Sequence, residues 1–156
     1  MTTSSARVRM IDVSGKPVTV RVAEASGRIT MSPAAARAIR SGRVPKGNVL
    51  AVARVASIMG AKRVSETLPL CHPVPLDSVE VDIVPGARAV TVRARVRAEA
   101  RTGVEIEALA AVTAGLLCVY DMVKSLDRGM TIEAVRLEAK SGGRSGTFAR
   151  AGRPRP

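Results

Sequence analysis

The fold is decided by residues 79–96. This stretch consists of Val79-Glu-Val-Asp-Ile83, the pair Pro85-Gly86, and Val90-Thr-Val-Arg-Ala-Arg-Val96. Apolar and polar residues alternate on both sides of the Pro-Gly pair, which is the period of two that β-strands show. This alternation places one face of the pair on a core and a charged face outward. The sequence therefore predicts a β-hairpin, around which the rest of the chain can be interpreted.

A long helix is predicted directly after the hairpin, over residues 103–126. Thr102 and Glu105 have the Thr-x-x-Glu spacing of a capping box, in which both side chains satisfy backbone N–H groups at the start of a helix. That arrangement gives Glu105 a structural role and leaves Glu107 without one. Glu107 is therefore the better candidate for chemistry.

The same predicted helix carries Asp121 and Lys124. On a helical wheel Glu107, Ala110, Ala114 and Asp121 share one face, with Lys124 one turn beyond, and the small alanines allow another surface to approach closely. Glu107 and Asp121 are 14 residues apart, or roughly 21 Å along a straight helix, so they cannot both touch one reacting bond. Either one of them is structural, or an oligomer joins the Asp121 end of one subunit to the Glu107 end of another, which we favour. On spacing alone, an exposed ion pair worth about 0.2–0.5 kcal/mol also explains Asp121 and Lys124.

The chain before the hairpin predicts one strand and two helices. Alternating valines predict a strand over residues 18–31, with a break at Ser26-Gly27. A Ser-Pro pair predicts the start of a short helix over residues 34–39. Residues 49–61 predict a helix that is apolar nearly all round. We expect this helix to be buried on most sides, which in a small domain favours a subunit interface.

After the long helix, Ile132, Val135 and Leu137 predict a last strand, which runs into Lys140-Ser-Gly-Gly-Arg-Ser-Gly146. Backbone N–H groups of such a glycine-rich loop can surround an anion, although a flexible exit from the sheet has the same composition. The order strand, helix, strand, strand, helix, strand predicts an α+β domain of the ferredoxin-like βαββαβ type, with an antiparallel sheet and helices on one face. This fold hosts enzymes and RNA binders alike, so it does not decide the function.

The stretch Leu68-Pro-Leu-Cys-His-Pro-Val-Pro-Leu76 contains the only histidine, His72. Because its prolines stiffen the backbone, the segment either aims His72 at a site or buries it as a core residue in a turn. A catalytic pair of Cys71 and His72 is disfavoured, since adjacent residues of an extended segment point to opposite faces. Zinc is disfavoured because one histidine and two distant cysteines lack metal-ligand spacing.

Length and composition fit one compact domain. Of the 156 residues 46% are hydrophobic, and we place the catalytic domain at residues 10–148, between a flexible N-terminus (1–9) and a disordered basic tail (149–156). Two cysteines suit a reducing cytoplasm. The beginning of the chain has no apolar signal region and charges interrupt the apolar runs, so we expect neither secretion nor a membrane span.

The net charge of +12 predicts an anionic partner. Proteins that bind single-stranded nucleic acid stack bases on aromatic side chains, and Tyr120 and Phe148 are the only aromatics. Phosphate on a small substrate explains the charge as well as nucleic acid does. Because arginine is common and lysine scarce, the lysines are candidates for a site that needs a compact ammonium group. They are Lys16, Lys46, Lys62, Lys124 and Lys140.

Six motifs follow one another within residues 10–148. They are Met10-Ile-Asp-Val-Ser-Gly-Lys16, Lys46-Gly-Asn-Val-Leu50, Leu68-Pro-Leu-Cys-His-Pro73, Thr102-Gly-Val-Glu-Ile-Glu-Ala-Leu109, Tyr120-Asp-Met-Val-Lys124 and Lys140-Ser-Gly-Gly-Arg-Ser-Gly146. Together they resemble the cyclic pyranopterin monophosphate synthase family, the MoaC family of molybdenum-cofactor biosynthesis.

The resemblance implies a ferredoxin-like subunit in a homohexamer, a trimer of dimers, with active sites at subunit interfaces. It implies a lyase that converts (8S)-3′,8-cyclo-7,8-dihydroguanosine 5′-triphosphate to cyclic pyranopterin monophosphate and diphosphate, and we expect neither a cofactor nor a metal site. Asp121 matches the catalytic aspartate of the family, and we assign Lys124 to the same step. The positions that match substrate-binding residues are Leu70, Cys71, His72, Ile106, Glu107, Lys46, Lys62, Lys140, Lys16 and Arg21.

The chain departs from the family pattern at four positions. Asn48 stands where the family usually has Asp, Ser57 where it has Gly, Val64 where it has Thr, and Arg144 where Lys is common. Arg144 keeps the charge of the loop. The alternative function is a basic RNA-binding module of the same fold, which the net charge favours and the missing aromatics disfavour.

Overall fold

The predicted hairpin is present and supplies two of the five strands of an antiparallel sheet. The chain is described over residues 7–152 by a computed structural model. Its elements in chain order are β1 (Thr19–Thr30), α1 (Pro33–Arg40), α2 (Val49–Lys62), α3 (Val64–Thr67), β2 (Ser78–Pro85), β3 (Ala89–Ala100), α4 (Glu105–Val123), β4 (Thr131–Ser141) and β5 (Phe148–Ala149). The strand order is β2-β3-β1-β4-β5. The first four strands have the order of a ferredoxin-like sheet, which confirms the predicted fold class.

The alternation in the hairpin has the predicted consequence. Ile83 of β2 pairs with Val92 of β3, and both side chains are buried. Asp82 pairs with Arg93, and both lie on the opposite, charged face. The amide of Gly86 donates to the backbone oxygen of Ala89 at 2.7 Å, which closes the turn.

Helix α4 forms the centre of the core. Val112, Leu116, Val119 and Val123 are 0% exposed, and burial of each such side chain stabilises the fold by about 1.5–3 kcal/mol. The helix is long and apolar enough to cross a membrane, with a mean hydropathy of 1.7, but half of it is buried inside the fold. That burial is typical of the core helix of a globular domain.

Helices α2 and α4 pack closely against each other on the same face of the sheet. A Cβ on Gly60 of α2 would lie 2.6 Å from the Ala114 Cβ and 2.8 Å from the Ala110 backbone oxygen. The prediction that Ala110 and Ala114 allow a close approach is therefore confirmed, and the approaching surface is α2. The two helices run antiparallel, because Lys46 before α2 contacts Asp121 near the end of α4.

One local prediction was wrong. The capping box is absent: Val104 is the N-cap of α4 and no side chain caps this end. The predicted first strand is present as β1 and runs through Ser26-Gly27, although its register with β4 shifts between Ser26 and Arg28. Gly27 lets α4 approach, since a Cβ there would lie 2.8 Å from Val112 Cγ1. In the single chain α2 buries one face, and Val52 and Val55 are 46% and 61% exposed, so burial of the other faces against a second subunit stays a prediction.

The predicted tail is ordered where it begins. Ala149 lies in β5, and the Arg150 amide donates to the Glu138 backbone oxygen at 2.8 Å. The first and last residues of the chain, 1–6 and 153–156, lie outside the described residues, so for them flexible termini stay a prediction. The short helix α3, which the sequence did not predict, lies between α2 and residues 68–76, which we call the proline-braced segment.

Candidate active site

The carboxylate of Asp121 lies between two lysine ammonium groups at the carboxyl end of α4. Lys46 Nζ donates to Asp121 Oδ2 at 2.6 Å, and Lys124 Nζ donates to Asp121 Oδ1 at 2.7 Å. Lys46 Nζ also donates to the backbone oxygen of Asp121 at 3.1 Å. The hydrogen bonds from Lys124 and Lys46 lower the pKa of Asp121 to about 2. All three side chains are about half exposed, so a ligand can reach them.

Lys46 reaches Asp121 because a tight turn precedes α2. The amide of Gly47 donates to the Val44 backbone oxygen at 2.9 Å, and Gly47 has a φ of 98°, which glycine adopts without steric cost. Val44 is buried, and Asn48 caps α2 by accepting a backbone amide at 3.1 Å. The backbone is thus fixed on both sides of Lys46. The predicted exposed ion pair between Asp121 and Lys124 is present. Lys46, from a distant part of the chain, forms a second ion pair with the same carboxylate.

Cys118 lies one turn before Asp121 and is half-buried. Burial raises the pKa of its thiol, and the negative charge of Asp121 raises it further. The thiol is therefore protonated at neutral pH, and it forms part of the wall of the site rather than a nucleophile.

Arg21 connects three segments at the other end of the sheet, where α4 begins. Its Nε donates to the Ala100 backbone oxygen at 3.3 Å, and its Nη2 donates to the Arg101 backbone oxygen at 3.2 Å. Gly142 and Gly143 pack against it with φ values of 94° and 76°. A Cβ on Gly143 would lie 1.7 Å from Arg21 Nη1, so only glycine fits beside this guanidinium. Arg21 was predicted to bind substrate, and at least two of its donors hold the backbone of its own chain.

Lys140 lies at the end of β4 and pairs across the sheet with Ala23 of β1. Its Nζ donates to Ser145 Oγ across the glycine-rich loop. This hydrogen bond joins the two ends of the glycine-rich loop, which lies at the same end of the sheet as Arg21.

Glu107 is buried in the first turn of α4, with 5% of its surface exposed. Burial raises the pKa of its carboxyl group, and the charge of Glu105 raises it further. Ile106 beside it is 39% exposed. As predicted, Glu107 and Glu105 have different surroundings. Burial of Glu107 distinguishes them, because Glu105 does not cap the helix.

The proline-braced segment runs from α3 to the start of β2. Leu70 is exposed, and Cys71 and His72 are half-buried. The Cys71 amide donates to the Leu68 backbone oxygen at 3.1 Å, which turns the chain before His72. His72 is therefore not a fully buried core residue in the single chain.

Asp12 is a charged neighbour of His72 that the sequence reasoning missed. Its Oδ1 accepts the Ser14 amide at 2.8 Å. Hydrogen bonds from Ser14 lower the pKa of Asp12, and the charge of His72 lowers it further. Asp12 lies inside the first of the six motifs, so the sequence could have identified it. In this region only Lys16 and Arg21 were predicted to bind substrate.

Two further lysines lie at this end. The backbone oxygen of Lys16 accepts a hydrogen bond from Arg101 Nε at 3.2 Å, which ties the N-terminal segment to the turn before α4. Lys62 is the last residue of α2 and is exposed. Because α2 and α4 are antiparallel, Lys62 lies toward the beginning of α4.

Helix α4 therefore separates the predicted site residues into two groups. The carboxyl-end cluster consists of Lys46, Asp121 and Lys124. The other residues lie on segments at or near the amino end of α4, and we call them the amino-end cluster: Lys16, Arg21, Lys62, Leu70, Cys71, His72, Ile106, Glu107 and Lys140. Within residues 7–152, no group of three or more His, Cys, Asp or Glu side chains is placed to hold a metal ion.

The fold and these clusters define an α+β protein with an exposed carboxylate between two ammonium groups at one end of its central helix. A family model described as the MoaC family matches residues 10–143. The chain belongs to the MoaC family.

Named relatives support this assignment. A protein named cyclic pyranopterin monophosphate synthase from Thermomicrobium roseum is 53% identical over 146 residues, which cover 92% of this chain and 88% of the relative. Proteins of the same name from Streptomyces avermitilis and Novosphingobium aromaticivorans are 51% and 52% identical and cover 91% and 93% of this chain, and 84% and 92% of their own lengths. The RNA-binding alternative finds no support in these comparisons.

Two departures from the family pattern now have a structural description. Asn48 still caps α2 with its side-chain oxygen, so this departure leaves the start of the helix intact. Ser57 is 0% exposed and lies opposite Gly115 of α4, and its hydroxyl has no hydrogen-bond partner in the part of the chain that the structure describes.

Proposed function

We propose that this chain is a lyase that converts (8S)-3′,8-cyclo-7,8-dihydroguanosine 5′-triphosphate to cyclic pyranopterin monophosphate and diphosphate, in the biosynthesis of the molybdenum cofactor. The observation that carries the proposal is the Asp121 carboxylate held between Lys46 and Lys124 in a member of the MoaC family. This arrangement puts a permanent negative charge next to two hydrogen-bond donors at one exposed site.

The carboxyl-end cluster fits acid–base work on a phosphorylated substrate. Asp121 is ionised at neutral pH because its pKa is about 2. A lysine ammonium group has three donors, and Lys124 uses one of them on Asp121, while Lys46 uses two. The remaining donors are free to bind phosphate oxygens and to stabilise the negative charge of the departing diphosphate. Proton transfers at the ring are assigned to Asp121 and Lys124.

The amino-end cluster fits a binding wall for the same substrate. The positive φ values of Gly142 and Gly143 turn the glycine-rich loop against Arg21, and backbone N–H groups of such a turn can bind an anion. Lys140 supplies a positive charge next to it, and Arg21 fixes its position. Exposed Leu70 and Ile106 offer apolar surface for a ring system, and His72 lies in the same cluster.

A homohexamer, a trimer of dimers, completes the proposal by joining the two clusters across subunit interfaces. Asp121 and Glu107 are separated by 14 residues of one helix, or roughly 21 Å. The single chain also leaves apolar side chains uncovered on the outer faces of α2 and α4. They are Val52, Val55, Met59 and Leu117. Uncovered apolar surface of this kind is typical of subunit interfaces. The two free cysteines suit a reducing compartment, so we place the enzyme in the cytoplasm.

Incubation of the purified chain with the cyclised GTP derivative, followed by measurement of released diphosphate, tests the activity. We expect release by the wild-type chain and its loss in Lys124→Ala. If the wild-type chain releases no more diphosphate than this variant, the enzyme proposal is wrong. Tight RNA binding that weakens with salt would favour the alternative function. Native mass spectrometry tests the assembly, and a monomer alone would contradict shared sites.

A further inference from the structure

Residues 31–65 carry seven cationic side chains and not one carboxylate. They are Arg37, Arg40, Arg43, Lys46, Arg54, Lys62 and Arg63. The formal net charge of the whole chain is +12, so more than half of the excess arises in this segment. The two lysines belong to the clusters described above, whereas the arginines have no role there.

Three of these arginines line an open groove along α1. Its lining residues are Ala34, Arg37, Ala38, Arg40, Ser41 and Arg43, and we call it the α1 groove. Because α1 buries Ala35, Ala36 and Ile39 against the core, its arginines are exposed. Among residues 7–152, no carboxylate lies within ion-pair distance of any of the three guanidinium groups. Their charge is therefore available to a ligand.

Two links connect the α1 groove with the region of the carboxyl-end cluster. The amide of Ser32, which caps α1, donates to Asp127 Oδ2 in the loop after α4 at 2.7 Å. Arg43 comes three residues before Lys46, so their Cα atoms are at most about 11 Å apart. Arg40 Nη1 donates to the backbone oxygen of Gly86, which holds this guanidinium against the β2–β3 turn.

We infer that the α1 groove is an approach surface that attracts the polyphosphate group of the substrate and raises the rate at which it reaches the carboxyl-end cluster. The inference rests on the proposed function. Charges of one sign around a site raise the association rate of an oppositely charged ligand by about 10- to 1,000-fold, and salt removes this effect. At physiological ionic strength the Debye length is about 8 Å, so charges near the reacting cluster contribute most. Arg43 is the nearest of the three along the chain.

The chemistry of the groove favours a small polyphosphate over a nucleic acid. α1 has 8 residues and is thus roughly 12 Å long, which is short for a strand of several nucleotides. The groove is lined by alanines, arginines and a serine, without an aromatic side chain on which a base would stack. Guanidinium groups bind phosphate oxygens through parallel N–H donors.

The test compares Arg37→Gln/Arg43→Gln with the wild-type chain in two measurements over a range of salt concentrations. The first is kcat/KM for diphosphate release. We expect about a five- to tenfold lower kcat/KM at low ionic strength, an unchanged kcat, and no difference at high ionic strength, because only the encounter is affected. The second is binding of inorganic triphosphate, followed by NMR shifts of the α1 amides, which we expect to weaken in the variant.

A matched control removes the same charge from the opposite face of the molecule. Arg93→Gln/Arg136→Gln changes two arginines that line the charged face of the sheet, and we expect less than a twofold change in either measurement. Equal effects of the two double variants, or a salt dependence unchanged in Arg37→Gln/Arg43→Gln, would overturn the inference. If the wild-type chain released no diphosphate, the proposed function would fail, and triphosphate binding would still decide whether the groove attracts polyphosphate.

Discussion

Glu107 and Asp121 are two carboxylates of one helix, and their surroundings shift their pKa values in opposite directions. Burial in the first turn raises the pKa of Glu107, whereas lysine hydrogen bonds in the last turn lower the pKa of Asp121 to about 2. The helix dipole alone predicts the reverse, because it stabilises negative charge at the amino end and disfavours it at the carboxyl end. Desolvation and two direct ammonium contacts thus outweigh the dipole, whose effect is about 0.3–1 kcal/mol.

The proposed function assigns different roles to the two ends of α4. The amino end offers a buried carboxyl group, exposed apolar side chains and a glycine-rich loop, which suits binding. The carboxyl end offers an exposed, ionised carboxylate with two ammonium groups, which suits chemistry. Each of the following changes affects one end of the helix, or the contact with α2 that connects the ends.

The largest expected effect follows from Asp121→Asn. This change keeps the shape of the side chain and removes its charge, so kcat for diphosphate release should fall by roughly 10²- to 10⁴-fold. Asp127→Asn is the matched control at the same end, because Asp127 accepts the amides of Ser32 and Gly129 and serves the backbone. We expect the control to lose stability and to keep its kcat. Equal losses of kcat in both variants would show that the carboxyl end needs only general negative charge.

Gly60→Ala should push α2 away from α4 and weaken the packing of the two helices. The added Cβ would lie 2.6 Å from Ala114 Cβ, and such overpacking costs about 1–3 kcal/mol in the free energy of unfolding. Urea denaturation measures this loss. Gly15→Ala is the control, since a Cβ there meets nothing within 4 Å. If Gly60→Ala proved as stable as this control, the close contact of the helices would be incorrect.

Glu107→Gln should change how stability depends on pH. Because the folded pKa of Glu107 is raised above the unfolded value near 4.5, its favourable contribution is complete below pH 4.5 and is lost as the pH rises through the folded pKa. The variant lacks this loss, so it should be more stable than the wild-type chain at neutral pH. Denaturation curves between pH 4 and 8 measure the difference.

Asp121→Asn provides the opposite case in the same experiment. Its contribution is present above the unfolded pKa of 3.8 and is lost as the pH falls toward about 2. In curves extended down to pH 2, Asp121→Asn should therefore be less stable than the wild-type chain at neutral pH and approach it in acid, whereas Glu107→Gln should be more stable at neutral pH and approach it as the pH falls to 4.5. Parallel curves for Glu107→Gln and the wild-type chain above pH 4.5 would contradict the burial of a raised carboxyl group.

The smallest expected effect follows from Ser57→Ala, midway between the ends. Removal of a buried hydroxyl that lacks a partner should raise the free energy of unfolding by about 1 kcal/mol and leave kcat unchanged. Ser65→Ala, at an exposed position, should change it by less than about 0.5 kcal/mol. A destabilised Ser57→Ala would mean that the hydroxyl has a partner in the folded chain.

Sequence patterns predicted most of the fold because its strands and main helices are periodic. The alternation in residues 79–96 determined the hairpin, and the apolar length of residues 103–126 determined α4. The capping box failed because Val104 begins the helix with a conformation that the Thr-x-x-Glu pattern cannot reveal. The alternation is interrupted at Gly27, where the missing side chain provides space for a helix that is far away in the sequence.

The candidate site was less predictable, because its decisive contacts join distant segments. Lys46 and Asp121 are separated by 75 residues, and no local pattern pairs them. The family motifs named both residues without indicating that they touch. The structure likewise showed that Arg21 holds the turn before α4, since hydrogen bonds to backbone oxygens leave no trace in composition.

Mixing two inactive variants tests most directly whether a working site takes one end of α4 from each of two subunits. Asp121→Asn impairs the carboxyl end, and Glu107→Ala impairs the amino end. If the two chains are unfolded together and refolded as hybrids, one of the two sites in each hybrid pair receives two intact ends. The proposal predicts a return of diphosphate release to about a quarter of the wild-type rate, because random pairing makes half of the pairs hybrids. Release no higher than that of the separate variants, in mixtures that mass spectrometry shows to contain hybrids, would contradict it.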